Sequence, residues 1–255
     1  MLNIHHIRNA TFIIETATEV ILVDPMLGDQ GTLPPFVFLR MKARRNPTVP
    51  FPEASREILE KVTHCLITHQ HADHLDKVGI AFLKENNIPV TCSHKDAEVL
   101  QKKGLQIANS LHYNQRVSFL GGQIEGIPAR HGYGYITKPM GNVMGFYITL
   151  PNVPSIYISS DTIYTDAVAN VLTSYNPAIS VVAAGSAQFD LFQPLLMRID
   201  DIVTFVKNAP HKVYANHLEA INHCPTTRKG LRERLQQEGL LEKVYLPEDG
   251  EVVRF

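Results

Sequence analysis

The run Thr68-His69-Gln70-His71-Ala72-Asp73-His74 places four ligand-type side chains within six positions. It follows directly on His64-Cys65-Leu66-Ile67, an apolar segment that reads as a strand. In extended backbone, residues i and i+2 point to the same side. His69 and His71 therefore project together and can share one metal ion. Asp73 and His74 come after a turn and can face a second ion beside the first. A metal needs more than two protein ligands, so this reading requires further His or Asp at other strand ends. Three are present. His131 ends Ile127-Pro128-Ala129-Arg130-His131, Asp161 follows the strand-like Ile156 to Ser160, and His217 ends Val213-Tyr214-Ala215-Asn216.

The composition fits imidazole and carboxylate as the donors. The chain of 255 residues holds twelve His but three Cys (Cys65, Cys92, Cys224), with no C-x-x-C pair. That excludes a disulfide framework and a thiolate zinc site, and it fits a reducing compartment. Formal charge is −1, so nucleic acid would not be held by global basicity. No signal peptide and no membrane-spanning run is evident, so a cytoplasmic protein without a membrane partner is expected.

The order His-x-His-x-Asp-His, isolated His, Asp after a strand and final His resembles the metallo-β-lactamase fold superfamily. The resemblance covers about residues 2 to 255. It includes Ala10-Thr11-Phe12-Ile13-Ile14, Ile21-Leu22-Val23-Asp24-Pro25 and Pro247-Glu248-Asp249-Gly250-Glu251. These flanks look most like the branch with ascorbate-6-phosphate lactonase and similar metal-dependent hydrolases. The resemblance implies that His69, His71 and His131 hold one ion and that Asp73, His74 and His217 hold a second. Asp161 would bridge them, and Asp24 would orient a ligand His from behind. The ions would be divalent, zinc first, with Mn, Fe or Ni suiting the same donors. One departure is visible. Arg8-Asn9 stands where much of the branch has Gly-His, so a proton-transfer role there is absent or moved, and Arg8 and Asn9 become candidates for substrate contact.

Two such ions would polarise a scissile carbonyl or phosphoryl oxygen and lower the pKa of the water between them. Asp73 would orient the resulting hydroxide and exchange its proton. His223, six residues beyond His217, is a candidate acid, base or oxyanion donor. Tyr133 and Tyr135 are candidates to line the pocket, and Gly185-Ser186 should reach the same rim. Cys224 reads as a small buried residue. The expected activity is hydrolysis of a small ester, lactone or phosphoester. The basic cluster Arg40, Lys42, Arg44 and Arg45 suggests that this small-molecule substrate is anionic.

The positioning elements follow from pattern. Strands are expected at Ile13-Ile14, Val20 to Val23, His64 to Thr68, Pro89 to Cys92, Arg116 to Leu120, Gln123 to Pro128, Val143 to Leu150, Ile156 to Ser159, Ala178 to Ala184, Lys212 to Ala215, Val244 to Leu246 and Val252 to Phe255. Helices are expected from Ser55 to about Val62, Lys77 to Asn86, Ser93 to Lys103, Tyr164 to Thr173, Ile199 to Lys207 and Pro225 to Gln237. Residues 26–54 carry five prolines and read as an irregular binding loop or lid. Strands and helices interleave without a break in composition. A single α/β domain over 1–255 is expected, as a four-layer αββα sandwich with the metals at one edge. A homo-oligomer is compatible with this reading. Competing chemistries on the same fold are an iron-dependent oxygenase or redox enzyme and a nucleic-acid phosphodiesterase. No inserted nucleic-acid-binding module is visible for the latter.

Overall fold

The structure is a computed structural model that describes residues 2–255. Its first six strands are β1 (Asn3–Arg8), β2 (Thr11–Glu15), β3 (Val20–Val23), β4 (His64–Ile67), β5 (Val90–Ser93) and β6 (Ile107–Leu111). The next seven are β7 (Arg116–Phe119), β8 (Gly122–Pro128), β9 (Met144–Thr149), β10 (Ile156–Ile158), β11 (Ile179–Ala183), β12 (Lys212–Asn216) and β13 (Val244–Tyr245). They make two seven-stranded mixed sheets, ordered β14-β1-β2-β3-β4-β5-β6 and β13-β12-β11-β10-β9-β8-β7, with β14 (Val252–Arg254) returning to the first.

Side-chain alternation sorts each strand between two cores. Ile4, Phe12, Ile14, Ile21, Val23 and Leu66 of the first sheet meet Ile124, Phe146, Ile148, Ile158, Val181 and Tyr214 of the second. The intervening residues Ile13, Leu22, Cys65 and Ile67 face outward instead, onto Leu83 of α2 (Lys77–Glu85) and Leu100 of α3 (His94–Lys102). On the far side Tyr157, Val182 and Val213 pack under Val168 of α4 (Asp166–Asn170), Phe205 of α5 (Ile199–Asn208) and Leu231 of α6 (Arg228–Gln237). Helices, sheet, sheet and helices form the expected αββα sandwich. Among the described residues no helix is long and apolar enough to cross a membrane.

Several boundaries differ from expectation for visible reasons. The segment after Ser55 makes a single α turn, α1 (Arg56–Leu59), and the Ser55 side chain makes no cap bond. The Thr63 N–H already bonds Val20 O at 2.8 Å, so the chain must leave the helix to enter β4. The expected Tyr164–Thr173 helix starts at Asp166 under a Thr165 cap and ends in a π turn, Val171–Tyr175. The last helix starts at Arg228, where the Thr227 side chain accepts from Gly230 N, rather than at Pro225. Strands β1 and β6 were not legible. In β1 the inward His6 breaks the apolar alternation, and its Nδ1 is satisfied by the Tyr214 hydroxyl at 2.7 Å.

Residues 26–54 form an irregular strap. Its extended pairing is limited to one isolated bridge, Leu33 with Asn46. Side chains of other segments, buried beneath it, hold it in place.

Candidate metal centre

Four strand ends deliver the ligands to one edge of the sandwich. The Thr68–His74 run leaves β4, His131 follows β8, Asp161 follows β10 and His217 follows β12. The backbone is under local strain there. Asn9, Asp24, Ser160 and His217 all sit at positive φ, between 47° and 59°. Non-glycine residues rarely adopt this region, and such outliers gather where side chains must be aimed. Gly185 ends β11 against the same edge. A Cβ there would lie 2.1 Å from His217 O, so only glycine allows the approach. Ser186 instead turns to a separate cleft beside Thr226 and Arg198.

The candidate ligand atoms form two clusters, linked by a third group of Asp24, His69 and His74. His69, His71 and His131 make one, and Asp73, His74 and His217 the other, each with its ligand atoms within 4.8 Å of one another. His69 Nε2 lies 3.1 Å from His71 Nδ1, and His74 Nε2 lies 3.1 Å from His217 Nε2. Asp161 Oδ2 stands between the clusters, 3.5 Å from His131 Nε2, 3.3 Å from His74 Nε2 and 3.5 Å from His217 Nε2. Bonds of about 2.0–2.1 Å to a tetrahedral ion set neighbouring donors about 3.3–3.4 Å apart. The spacing therefore suits metal coordination. The other carboxylate oxygen, Asp161 Oδ1, is buried without a protein partner. An orphaned buried carboxylate oxygen is costly unless something cationic meets it.

Electrostatics agree. Burial alone would drive every imidazole here toward neutrality. It pushes His131 down to about 4 and His69 well below its ordinary value, where neighbouring imidazoles add to the effect. In His74 burial is overcome by Asp161 and Asp24, which push the ring up to about 10. His217 is likewise raised by Asp161, with help from its bond to Asp73. Asp73 and Asp161 resist burial and stay well below the usual carboxylate range because these imidazoles face them. Positive charge is therefore favoured at His74 and His217, while the His69, His71 and His131 rings are held toward neutrality.

Outer contacts aim the ligand rings, as metal sites require. Asp24 Oδ2 accepts from His74 Nδ1 at 2.8 Å and from Thr68 Oγ1 at 2.7 Å, while Oδ1 accepts Thr68 N–H at 2.8 Å. Thr68 Oγ1 also touches His69 Nδ1 at 2.9 Å. Leu195 O takes His131 Nδ1 at 3.0 Å. Cys224 Sγ lies 3.4 Å from His217 Nδ1, and the two flanking imidazoles offset burial and bring its thiol down to about 7. Cys224 is therefore a partner of a ligand ring rather than a mere space filler, a role that spacing could not reveal.

The centre opens into a cleft of about 390 Å³, lined by His71, Asp73, His131, Asp161 and His223 and walled by Phe36, Met140, Phe189 and Leu195. Several expected substrate contacts lie elsewhere. Arg8 is fully buried, and its guanidinium donates to Val49 O, Met26 O and Gly28 O. It holds the strap from beneath and does not face the cleft. Asn9 is also buried. Its Nδ2 donates to Asp73 O at 3.0 Å and its O accepts His217 N–H at 2.8 Å, so it braces two ligands. The Tyr133 hydroxyl donates to Asp201, and Tyr135 is 89% exposed, so neither lines the cleft. Arg40 bonds Phe189 O and Arg45 bonds Gly31 O, while Lys42 and Arg44 border a different groove. The basic cluster does not reach the metal cleft. The cleft walls were missed because Phe36, Met140, Phe189 and Leu195 come from separate irregular segments with no shared periodicity.

Four of the remaining histidines have ordinary partners, and His211 is exposed. His5 meets Glu15 at 2.8 Å, His64 meets Thr91 Oγ1 at 2.9 Å, and His94 and His112 stack with ring centres 3.9 Å apart.

A family profile described as "Beta-lactamase superfamily domain" matches residues 19–217. UPF0173 protein YddR of Bacillus subtilis (strain 168) is 32% identical over 256 residues, covering 100% of both chains. Two solved structures share the fold closely. One is a possible metal-dependent hydrolase from Veillonella parvula DSM 2008, with TM-score 0.91, 27% identity and 99% of each chain covered. The other is isothiocyanate hydrolase from Delia radicum gut bacteria, with TM-score 0.89, 28% identity and 99% of each chain covered.

Proposed function

Since the chain belongs to the beta-lactamase superfamily domain family, we propose that it is a metal-dependent hydrolase with two divalent ions, zinc first, held by His69, His71 and His131, by Asp73, His74 and His217, and by Asp161 between them. Bound there, the ions would polarise the electrophilic carbon and supply a water of lowered pKa. The chain's own residues do the rest. Asp73 lines the cleft, and its carboxylate would orient the attacking water. His223 lines the same cleft, with Nδ1 3.8 Å from Cys224 Sγ. Its Nε2 has no protein partner among the described residues and is placed to protonate the departing atom. Phe36, Met140, Phe189 and Leu195 exclude water around the reacting group.

The observation that carries the substrate reading is the wall. No Lys or Arg is among the described cleft-lining residues, whereas four apolar side chains are. This favours a small neutral electrophile with an apolar substituent, such as an ester or lactone. It weighs against the anionic substrate that the basic cluster suggested and against a phosphoester. The neighbour that is an isothiocyanate hydrolase extends the same idea, since an isothiocyanate is a compact electrophilic carbon on an organic group.

The test is a panel of alkyl and aryl esters, lactones, isothiocyanates and phosphoesters against metal-analysed protein. Neutral apolar substrates should be turned over at least about tenfold better than phosphoesters by kcat/KM, a margin of about 1.4 kcal/mol. Neutralising Arg40, Lys42, Arg44 and Arg45 together should leave KM for the neutral substrates within about twofold, far inside that tenfold margin. Preference for phosphoesters, or an iron-dependent oxidation in place of hydrolysis, would sink the proposal.

A further inference from the structure

The strap 26–54 supplies one cleft wall, Phe36, yet has almost no secondary structure of its own. What fixes it is Asn222, which is 3% exposed. A side-chain amide offers two N–H donors and an oxygen with two lone pairs. All are used here. Asn222 Oδ1 accepts Phe36 N–H at 2.9 Å and Asn46 Nδ2 at 3.1 Å. Its Nδ2 donates to Val37 O at 3.0 Å and Lys42 O at 3.3 Å. Its own backbone N–H donates to Asn46 Oδ1 at 2.8 Å.

The next residue in the chain is His223. Its ring meets Phe36 edge-on, with centres 5.2 Å apart, and stacks on Phe189 at 5.9 Å. Asn222 thus joins the backbone of one wall residue to the neighbour of the imidazole between the walls. A second clamp mirrors it. Asp190, adjacent to Phe189, accepts the backbone N–H of Phe38, Leu39 and Arg40 at 2.8, 3.0 and 2.7 Å. Each clamp is adjacent in sequence to a cleft residue and bonded to backbone beside the opposite wall. Thr48 adds two bonds nearby, to Ala220 O and Glu219 O.

We infer that Asn222 is a specificity-positioning residue: it locks the strap as a fixed wall, not a swinging lid, so that the cleft walled by Phe36, Met140, Phe189 and Leu195 selects substrates by the length of their apolar substituent. This rests on the hydrolase reading for where the substrate lies. Burying successive methylenes in a fixed apolar slot should strengthen binding roughly threefold to fourfold each. A strap released from its clamp would lose that increment, because the slot would no longer close on the chain.

Alkyl hydroxamates of increasing length, from acetohydroxamate to octanohydroxamate, probe this on the metal-loaded protein by calorimetry. They bind without being turned over. Wild type should tighten by about threefold per methylene until the slot is full. Asn222→Ala and Phe36→Ala should flatten this to less than about 1.5-fold per methylene, well below the usual increment, with metal content retained. If Asn222→Ala does not fold, Asp190→Ala and Phe36→Ala carry the same comparison. A length dependence retained in these variants, or missing from wild type, overturns the inference. A wild type that shows the length dependence but hydrolyses nothing in the panel refutes the hydrolase reading alone.

Discussion

Asp161→Ala is expected to lower kcat/KM by at least about 10³-fold, equivalent to about 4 kcal/mol of lost stabilisation. The residue is 2% exposed, and its Oδ2 stands within 3.5 Å of candidate ligand nitrogens from both clusters. Removing it should leave one well-held ion per chain at most, so metal content and activity fall together. Asp161→Asn tests charge apart from shape. The amide keeps the volume but loses the negative charge that lifts His74 and His217. It should bind metal more weakly than wild type and recover little activity. Elemental analysis of both variants checks this. Activity within tenfold of wild type in Asp161→Ala would remove the basis for a bridged pair.

Asp24→Asn is expected to weaken metal binding by about 10–100-fold, the usual effect of losing a partner behind a ligand. On the two-ion reading its carboxylate acts from behind the ligand rings. It fixes the His74 ring through Nδ1 and fixes Thr68, which in turn meets His69. The loss should carry a pH signature. In the metal-free chain His74 is held up at about 10 against burial, first by Asp161 and then by Asp24. Metal needs the neutral ring, so binding near pH 8 displaces its proton. Affinity should therefore rise with pH toward about 10 and fall on acidification. The asparagine removes one of the two carboxylates that raise the ring, so fewer protons should leave on binding. Calorimetry in two buffers of different ionisation enthalpy counts those protons. The linkage has a further sign. A group raised in the folded chain stabilises below its unfolded pKa of about 6.5. That share of stability is lost as the pH climbs through about 10, so the metal-free protein should soften in alkali. Equal proton release by wild type and Asp24→Asn would show that Asp24 does not govern the ring.

These expectations also show what could be read before folding. The clustering of the candidate ligands was legible because chemistry and spacing coincide. His69 and His71 are two apart at the end of an apolar strand, and His131, Asp161 and His217 each follow such a run. The sandwich was legible because its strands alternate or run continuously apolar. The substrate wall was not, because Phe36, Met140, Phe189 and Leu195 meet only through loops. Charge misled in the same region. Arg40 to Arg45 looked like an anion site, but Arg40 and Arg45 spend their guanidinium groups on loop carbonyls. Arg8 is the sharper case. A charged side chain beside the motif suggested substrate, and the fold buries it under the strap. Whether a cation meets a ligand or its own backbone depends on loop conformation, which residue type and local spacing do not determine.

The most direct test is a zinc titration of chelator-treated protein, with bound metal and hydrolysis of a neutral apolar ester followed together. The expected result is two ions retained per chain, with activity appearing as the second site fills. Saturation at one ion with full activity, or hydrolysis unaffected by chelation, would contradict the two-ion hydrolase.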